Sequence, residues 1–237
     1  MEISKDTELV DLSEKGLDKG KPISLDRRLF IKFTSFAECH DIDEVINALS
    51  PVSAALYLDV NTPNGIGIVT LTEDPNDFID ILRPIFNNHP FDGMQHIENF
   101  DMLGRTYSIG YENDLEEILF NKPKNKISDP TNAWCVWYPL RREKKFYILP
   151  EKEQKKILAE HGNLAKRYGY AGLAVDIRLA CHGLDKYDND FVIGLLGPEL
   201  FPLSAVVQAM RQTEQTAMYL ENLGPFFVGK KIWSNIT

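Results

Sequence analysis

The sequence predicts an α+β protein made of two fused copies of one β-α-β-β-α-β unit, with the sheets packed face to face or closed into a dimeric α/β-barrel. Two observations predict it. Apolar strand-like runs and helix-patterned runs follow the same order twice along the chain, and 237 residues is long enough for two small cores. The β-α-β-β-α-β order is that of the ferredoxin-like unit. The expected division is a polar N-terminal arm over residues 1–25, a first unit over 26–113, a connection over 114–130 and a second unit over 131–237. The halves share little residue-level similarity, so the repeat rests on element order.

The first 25 residues are polar and rich in Lys, Asp, Glu and Gly, the composition of a loose arm. Leu29–Phe36 reads as a strand, and Asp41–Leu49 as a short helix with Asp41 or Asp43 as its N-cap. Ser53–Val60 is a strand, Asn61–Gly65 a turn cluster and Ile66–Leu71 a third strand. A helix follows in DPNDFIDILRPIF, with Asp74 or Asn76 as cap, and Arg105–Tyr111 is the fourth strand. The connection carries a short helix, DLEEILF. In the second unit the strands are Ala133–Tyr138, Leu173–Cys181, Phe191–Leu196 and Phe226–Ile232, and the helices are Glu151–Tyr168 and Leu203–Leu223.

Composition excludes some classes. A net charge of −9 argues against a nucleic-acid binder, which needs a basic face to neutralise phosphates. No apolar run is long enough to cross a bilayer, and the start lacks the hydrophobic core of a signal peptide. Cys39, Cys135 and Cys181 are odd in number and flanked by hydrophobic residues, which suits buried free thiols. The expected location is cytoplasmic, with no membrane and no nucleic-acid partner.

Two helices carry a polar residue on the wrong face. On the helix after Pro150, Ile157, His161, Leu164 and Tyr168 fall on one stripe. On the last helix Glu214 takes a place among Leu203, Val206, Met210 and Ala217 where an apolar residue belongs. An inward carboxylate is costly unless it is paired. Glu214 accepting the Nδ1–H of His161 accounts for both residues and leaves Nε2 for a metal. The plainer readings are a satisfied core histidine and a carboxylate at the stripe's edge. No C-x-x-C or H-E-x-x-H pattern is present, so zinc has no local cluster. One histidine backed by one carboxylate suits the proximal side of a haem.

The run LPEKEQKKILAEHG, the strand after it, GLD with DNDF, and MRQTEQTAMYLENLGPFFVG resemble the chlorite dismutase family, which also contains bacterial coproheme decarboxylases and haem-dependent peroxidases. The resemblance covers about Trp134 to Lys230. The E-H-G of one helix and the M-R-x-x-E-x-S/T-A-x-Y of the other are fairly specific in that order. It implies two fused ferredoxin-like units, haem b or coproheme in the C-terminal one, and homo-oligomeric rings, commonly pentamers. By resemblance His161 is the proximal iron ligand, Glu214 its hydrogen-bonding partner, and Thr216 lies where a Ser or Thr meets a propionate. Tyr138 in WYPLRR matches the tyrosine that carries the radical in decarboxylases, although a rim aromatic reads the same way. Arg141, Arg142, Lys144 and Lys145 are candidates to pair with propionates, Arg142 foremost, or else a solvated loop.

The distal position departs from the family's pattern. Counting back without gaps from Asp190-Phe191 places Arg178 at the family's arginine, whereas anchoring on Gly183-Leu184-Asp185 places Asp176 there. The two lie on one side of a strand. Arg178 is preferred, since its alignment matches more residues, and an ion pair with Asp176 or Asp185 is its plainer reading. The implied activity is a haem-dependent oxidoreductase using peroxide or chlorite. Coproheme decarboxylation through Tyr138 is placed first, chlorite decomposition through Arg178 second, and a haem-binding protein with weak peroxidase activity third.

Overall fold

The computed structural model describes residues 10–237, so the first nine residues of the expected arm lie outside the described residues. The rest of the arm is not loose. Glu14–Asp18 (β1) and Lys21–Leu25 (β2) pair antiparallel as a hairpin, turned at Lys19 and Gly20, both at positive φ. Glu14 anchors it: its carboxylate accepts from the Ser108 N–H at 2.8 Å and pairs with Arg105 at 3.0 Å.

Phe30–Ala37 (β3) leads into Ile42–Leu49 (α1), which Asp41 caps by accepting the Glu44 N–H at 3.0 Å. Ser53–Asp59 (β4) and Ile66–Thr72 (β5) follow. The expected second helix is a π turn, Phe78–Leu82, running into Arg83–Phe86 (α2). Gln95–His96 (β6) adds a short pairing to β3, and Met102–Arg105 (β7) completes the half. The connection holds a π turn, Glu117–Asn121, and Lys122–Ser128 (α3).

The second half runs Trp134–Arg142 (β8), Lys144–Tyr147 (α4), Glu151–Tyr170 (α5), Val175–Ala180 (β9) and Phe191–Gly197 (β10). Leu200–Met210 (α6), Glu214–Tyr219 (α7), Leu220–Leu223 (β11) and Phe227–Ser234 (β12) end the chain. The single helix expected over Leu203–Leu223 is therefore two helices and a strand. The last amides of α6 tighten to i→i+3 bonds, Gln212 N to Ala209 O and Thr213 N to Met210 O, and Thr213 is extended at φ −72, ψ 149.

The chain is α+β, but the expected barrel of fused units does not form. The strands make one ten-stranded sheet in the order β10-β9-β7-β3-β5-β4-β12-β8-β11, with β6 on β3 and β8 also paired to β10. The ladder fails between β7 and β9, where Arg105 and Ala180 are the one pair. The reason lies in the segment read as strand Arg105–Tyr111, which leaves the sheet at Thr106. Its amides are taken elsewhere: Thr106 N by Leu29 O, Ser108 N by Glu14, and Ile109, Gly110 and Tyr111 N by the Glu112 carboxylate. With those five donors satisfied there, they are not available to pair with β9.

Strands of both halves turn one face into a shared core of Phe33, Tyr57, Trp137, Leu179 and Phe227. A second cluster, with Tyr138, Phe191, Ile193, Leu195 and Leu203, lies on the opposite face of β8 and β10. The three cysteines are buried and unpaired. Among the described residues no helix is long and apolar enough to cross a membrane.

Candidate functional site

The site is built between α5 and the outer face of β8, β10 and β9. Alternation sorts the strands: Cys135, Trp137, Ile177 and Leu179 enter the shared core, so Val136, Tyr138, Asp176, Arg178 and Ala180 face the other way. Register then sets a row. Ile193 of β10 stands opposite Tyr138 of β8 on one side and Arg178 of β9 on the other. At the usual strand spacing the Cα atoms of Tyr138 and Arg178 are about 10 Å apart. Gly194 lets β10 lie close over the core, since a Cβ there would come within 2.6 Å of the Trp137 indole.

α5 starts after Pro150 with Glu151 and Glu153 in its first turn, where the helix dipole favours acids. It brings His161 into contact with the turn between α6 and α7. His161 Nδ1 lies 3.2 Å from Thr213 Oγ1, which in turn lies 2.8 Å from the Met210 carbonyl and 3.3 Å from Thr216 Oγ1. The Thr213 hydroxyl hydrogen is assigned to the Met210 carbonyl, its nearer acceptor. The oxygen then accepts Nδ1–H, and the lone pair of the ring is on Nε2. Burial, with Arg142 and Arg178 adding repulsion, pulls the His161 pKa from 6.5 down to about 4, so the ring is neutral at pH 7.

Glu214 is not the partner of His161. The carboxylate is exposed at the first position of α7, because the break after α6 shifts the helical phase on which its inward placement depended. Its backbone N–H donates instead to Glu160 Oε2 at 3.0 Å, which ties α7 to α5. Thr213 and Glu160 were missed. The signal for Thr213 was a threonine directly before an acidic residue, an N-cap pattern inside what read as one long helix. Thr216 joins the site through the Thr213 hydroxyl.

Tyr138 is 9% exposed and tilted against Phe226, with ring centroids 4.8 Å apart, and burial raises its phenol well above the usual range. Arg142 lies over Phe191 at 4.6 Å and Phe146 at 4.8 Å, and its backbone N–H donates to Asp190 Oδ2 at 2.7 Å. Its Nε is buried with no partner among the described residues. Arg141 turns away to the Tyr187 carbonyl at 2.6 Å and Glu221 at 3.6 Å. Arg178 Nε meets Asp176 Oδ2 at 3.1 Å, so the two distal candidates form one ion pair, the plainer reading of Arg178. Burial lowers the Arg178 pKa, but Asp176, Tyr107 and Tyr111 outweigh it and hold the guanidinium charged.

A neutral imidazole with a free Nε2, an orphaned guanidinium nitrogen and an apolar floor suit a flat metal complex that carries acid groups. Among the described residues no three His, Cys, Asp or Glu side chains cluster to hold a bare ion. His161 as sole protein ligand therefore fits an iron that brings its other ligands with it, as a porphyrin does.

Comparisons with known proteins give the family. The chlorite dismutase family model matches residues 111–232, just over half of the chain. A coproheme decarboxylase of Thermus thermophilus is 29% identical over 140 residues, 54% of each chain. One of Mycolicibacterium smegmatis is 30% identical over 157 residues, 58% of this chain and 64% of the relative. The chain thus spans between about half and two thirds of the length of these curated relatives. Two solved structures share the fold. A heme-binding protein, also of Thermus thermophilus, has a TM-score of 0.70 at 16% identity, covering 89% of this chain and 93% of that one. A chlorite dismutase of Candidatus Nitrospira defluvii with imidazole has 0.65 at 14%, covering 88% and 93%. On the family model's match across half its length, the chain belongs to the chlorite dismutase family.

Proposed function

We propose that the chain is a haem-dependent oxidoreductase that holds an iron porphyrin between α5 and the β8–β10–β9 face. The observation that carries this reading is His161: neutral, fixed through Nδ1 by Thr213, with Nε2 unengaged. His161 would hold the iron through Nε2, with Thr213 as its orienting partner and Thr216 supporting Thr213. Arg142, with its orphaned Nε, would pair with an acid group of the porphyrin. Residues 131–237 form the haem-binding unit, residues 26–113 its scaffold, and ring assembly follows the family.

When bound, the iron porphyrin supplies the redox chemistry. The protein's part is to place charge and exclude water. The Arg178 guanidinium stays protonated and stabilises negative charge that develops on the oxygen of a small anionic oxidant. Asp176 orients that guanidinium. A cation held half in the open suits an anion such as chlorite better than neutral peroxide, and on that ground oxidant chemistry at Arg178 takes first place over the decarboxylation ranked first on sequence. The second reading, coproheme decarboxylation, is favoured by Tyr138 standing in the same row as Arg178 and by the two curated relatives that bear that name. There Tyr138 would be the redox-active side chain, with peroxide as the terminal oxidant.

Titration with haem and with iron coproporphyrin, read at the Soret band, tests the site. His161→Ala should change the spectrum, and an unchanged spectrum would remove His161 as ligand. Oxygen release from chlorite should fall about 100-fold in Arg178→Gln with the Soret band retained. Peroxide added to the coproheme form, followed by porphyrin mass, decides the second reading, which fails if no carboxyl group is lost.

A further inference from the structure

The two faces of α5 have opposite characters. Ile157, His161, Leu164 and Tyr168 look inward to the site and are buried or half-buried. At about 3.6 residues per turn, the stripe opposite them carries Lys152, Lys155, Lys156, Lys166 and Tyr170, with Arg167 at its margin. All six are exposed. No acid lies on that stripe. Glu151, Glu153 and Glu160 fall on its flanks, where Glu151 holds Lys155 at 2.5 Å and Glu160 accepts the Glu214 amide. Lys152, Lys156, Lys166 and Arg167 have no ion-pair partner among the described residues.

This cationic ridge belongs to an acidic molecule. Residues 144–170 hold seven Lys and Arg against three Glu, in a chain whose net charge is −9. A helix with its side chains is about 10–12 Å across, wider than the Debye length of about 8 Å at physiological salt. Acids behind α5 are therefore screened from whatever meets the ridge.

Both ends of the ridge are apolar. Ile148, just before α5, is 84% exposed, and Tyr170, its last residue, is 87% exposed. Gly197 backs onto the Leu173 carbonyl, which a Cβ there would approach to 2.7 Å. The start of α6, with Phe201 79% exposed, therefore stands at the Tyr170 end. A helix of 20 residues puts the two ends about 30 Å apart. One exposed apolar side chain means little by itself. Here such side chains bracket a line of cations on a convex helix back, which offers no groove to a peptide. A flat surface can touch it along its whole length. Lysine stems can lie along apolar surface while their ammonium groups reach a charged layer.

We infer that the outer ridge of α5 is a docking surface for an anionic lipid bilayer. Its cations pair with lipid phosphates, and Ile148, Tyr170 and Phe201 seat where headgroups meet acyl chains. The sequence expectation of no membrane partner rested on the lack of a spanning run, which does not bear on a surface contact. Docking uses the face of α5 opposite His161, so it goes beyond the porphyrin reading and is independent of it.

Co-sedimentation of the full chain with lipid vesicles tests it. The chain should pellet with phosphatidylcholine and phosphatidylglycerol mixed at about 2:1, and not with phosphatidylcholine alone. Salt at about 0.5 M should release it. Lys152→Gln, Lys156→Gln and Lys166→Gln together should weaken binding about 100-fold, at about fivefold per cation, and the same three changed to Arg should keep it. Ile148→Ser should weaken it about tenfold. Ala159→Lys, in the middle of the stripe, should tighten it about fivefold, a gain that a misfolded variant cannot produce. Equal binding to both vesicles, no binding to the mixed ones, wild-type affinity in Ile148→Ser or no gain in Ala159→Lys overturns the docking surface. Soluble polyglutamate bound at the ridge while mixed vesicles stay unbound would point to an acidic protein instead and overturns the bilayer.

Discussion

At the scale of the residue, the decisive atom is the Thr213 hydroxyl. It accepts from His161 and donates to a carbonyl of α6, so it fixes which ring nitrogen carries the proton. Thr213→Val keeps the shape and removes the acceptor. Porphyrin affinity by Soret titration should then fall about 10- to 100-fold, the usual effect of removing a partner behind a metal-binding histidine, and Thr213→Ser should recover it. Equal affinity in the valine variant would sink the assignment. The same imidazole makes a pH prediction. Its folded pKa of about 4 lies below its ordinary 6.5, so the unfolded chain binds the proton first. Its contribution is fully present above pH 6.5 and lost as pH falls toward 4, by at most about 3 kcal/mol. Urea unfolding of the porphyrin-free chain over that range should show a shallower acid limb in His161→Ala than in the wild type. Parallel curves would remove His161 from the account.

At the scale of the element, the strands and helices of the second half were legible, and their phase was not. α5 was readable because its apolar stripe, acidic start and glycine-rich end all agree, and His161 was legible as the one polar residue on that stripe. Tyr138 and Arg178 could be placed on one face by counting twos along each strand. Their neighbourhood across β10 depends on register, which side-chain pattern alone does not fix. Glu214 misled for the converse reason: a periodic pattern continues smoothly through a break if the break costs no apolar residue. Thr213 carried a local signal, but the stripe outvoted it. The register of β10 rests on Gly194, the residue against which Trp137 packs. Gly194→Ala should therefore destabilise the fold by about 1–3 kcal/mol through overpacking, seen as a lower urea midpoint. It should also weaken porphyrin binding, because Ile193 carries the row between Tyr138 and Arg178. An alanine variant with the wild-type midpoint would show that β10 does not need the close approach.

At the scale of the whole molecule, the sheet depends on segments that the family resemblance does not reach. The sheet failed to close because the strand expected at Arg105–Tyr111 spends its amides on the N-terminal hairpin and on Glu112. Nothing in a period-two pattern reports that a distant glutamate competes for those amides. Glu14 is that competitor. Its side chain is 11% exposed, accepts from Ser108 N and Oγ, and pairs with Arg105 at 3.0 Å and Arg28 at 3.9 Å. It thus ties the Thr106–Ile109 segment to the N-terminal hairpin. Glu14→Ala leaves two half-buried arginines without this partner and should cost about 1.5–3 kcal/mol, the range for hydrogen bonds to a charged group. The more telling readout is local. Released from Glu14, the Ser108 amide should exchange its hydrogen faster, although no residue of the β8–β10–β9 face has changed. If exchange over Thr106–Ile109 matches the wild type, the hairpin is a bystander and the parting of β7 from β9 has another cause. Faster exchange there shows that the N-terminal hairpin holds this segment out of the sheet.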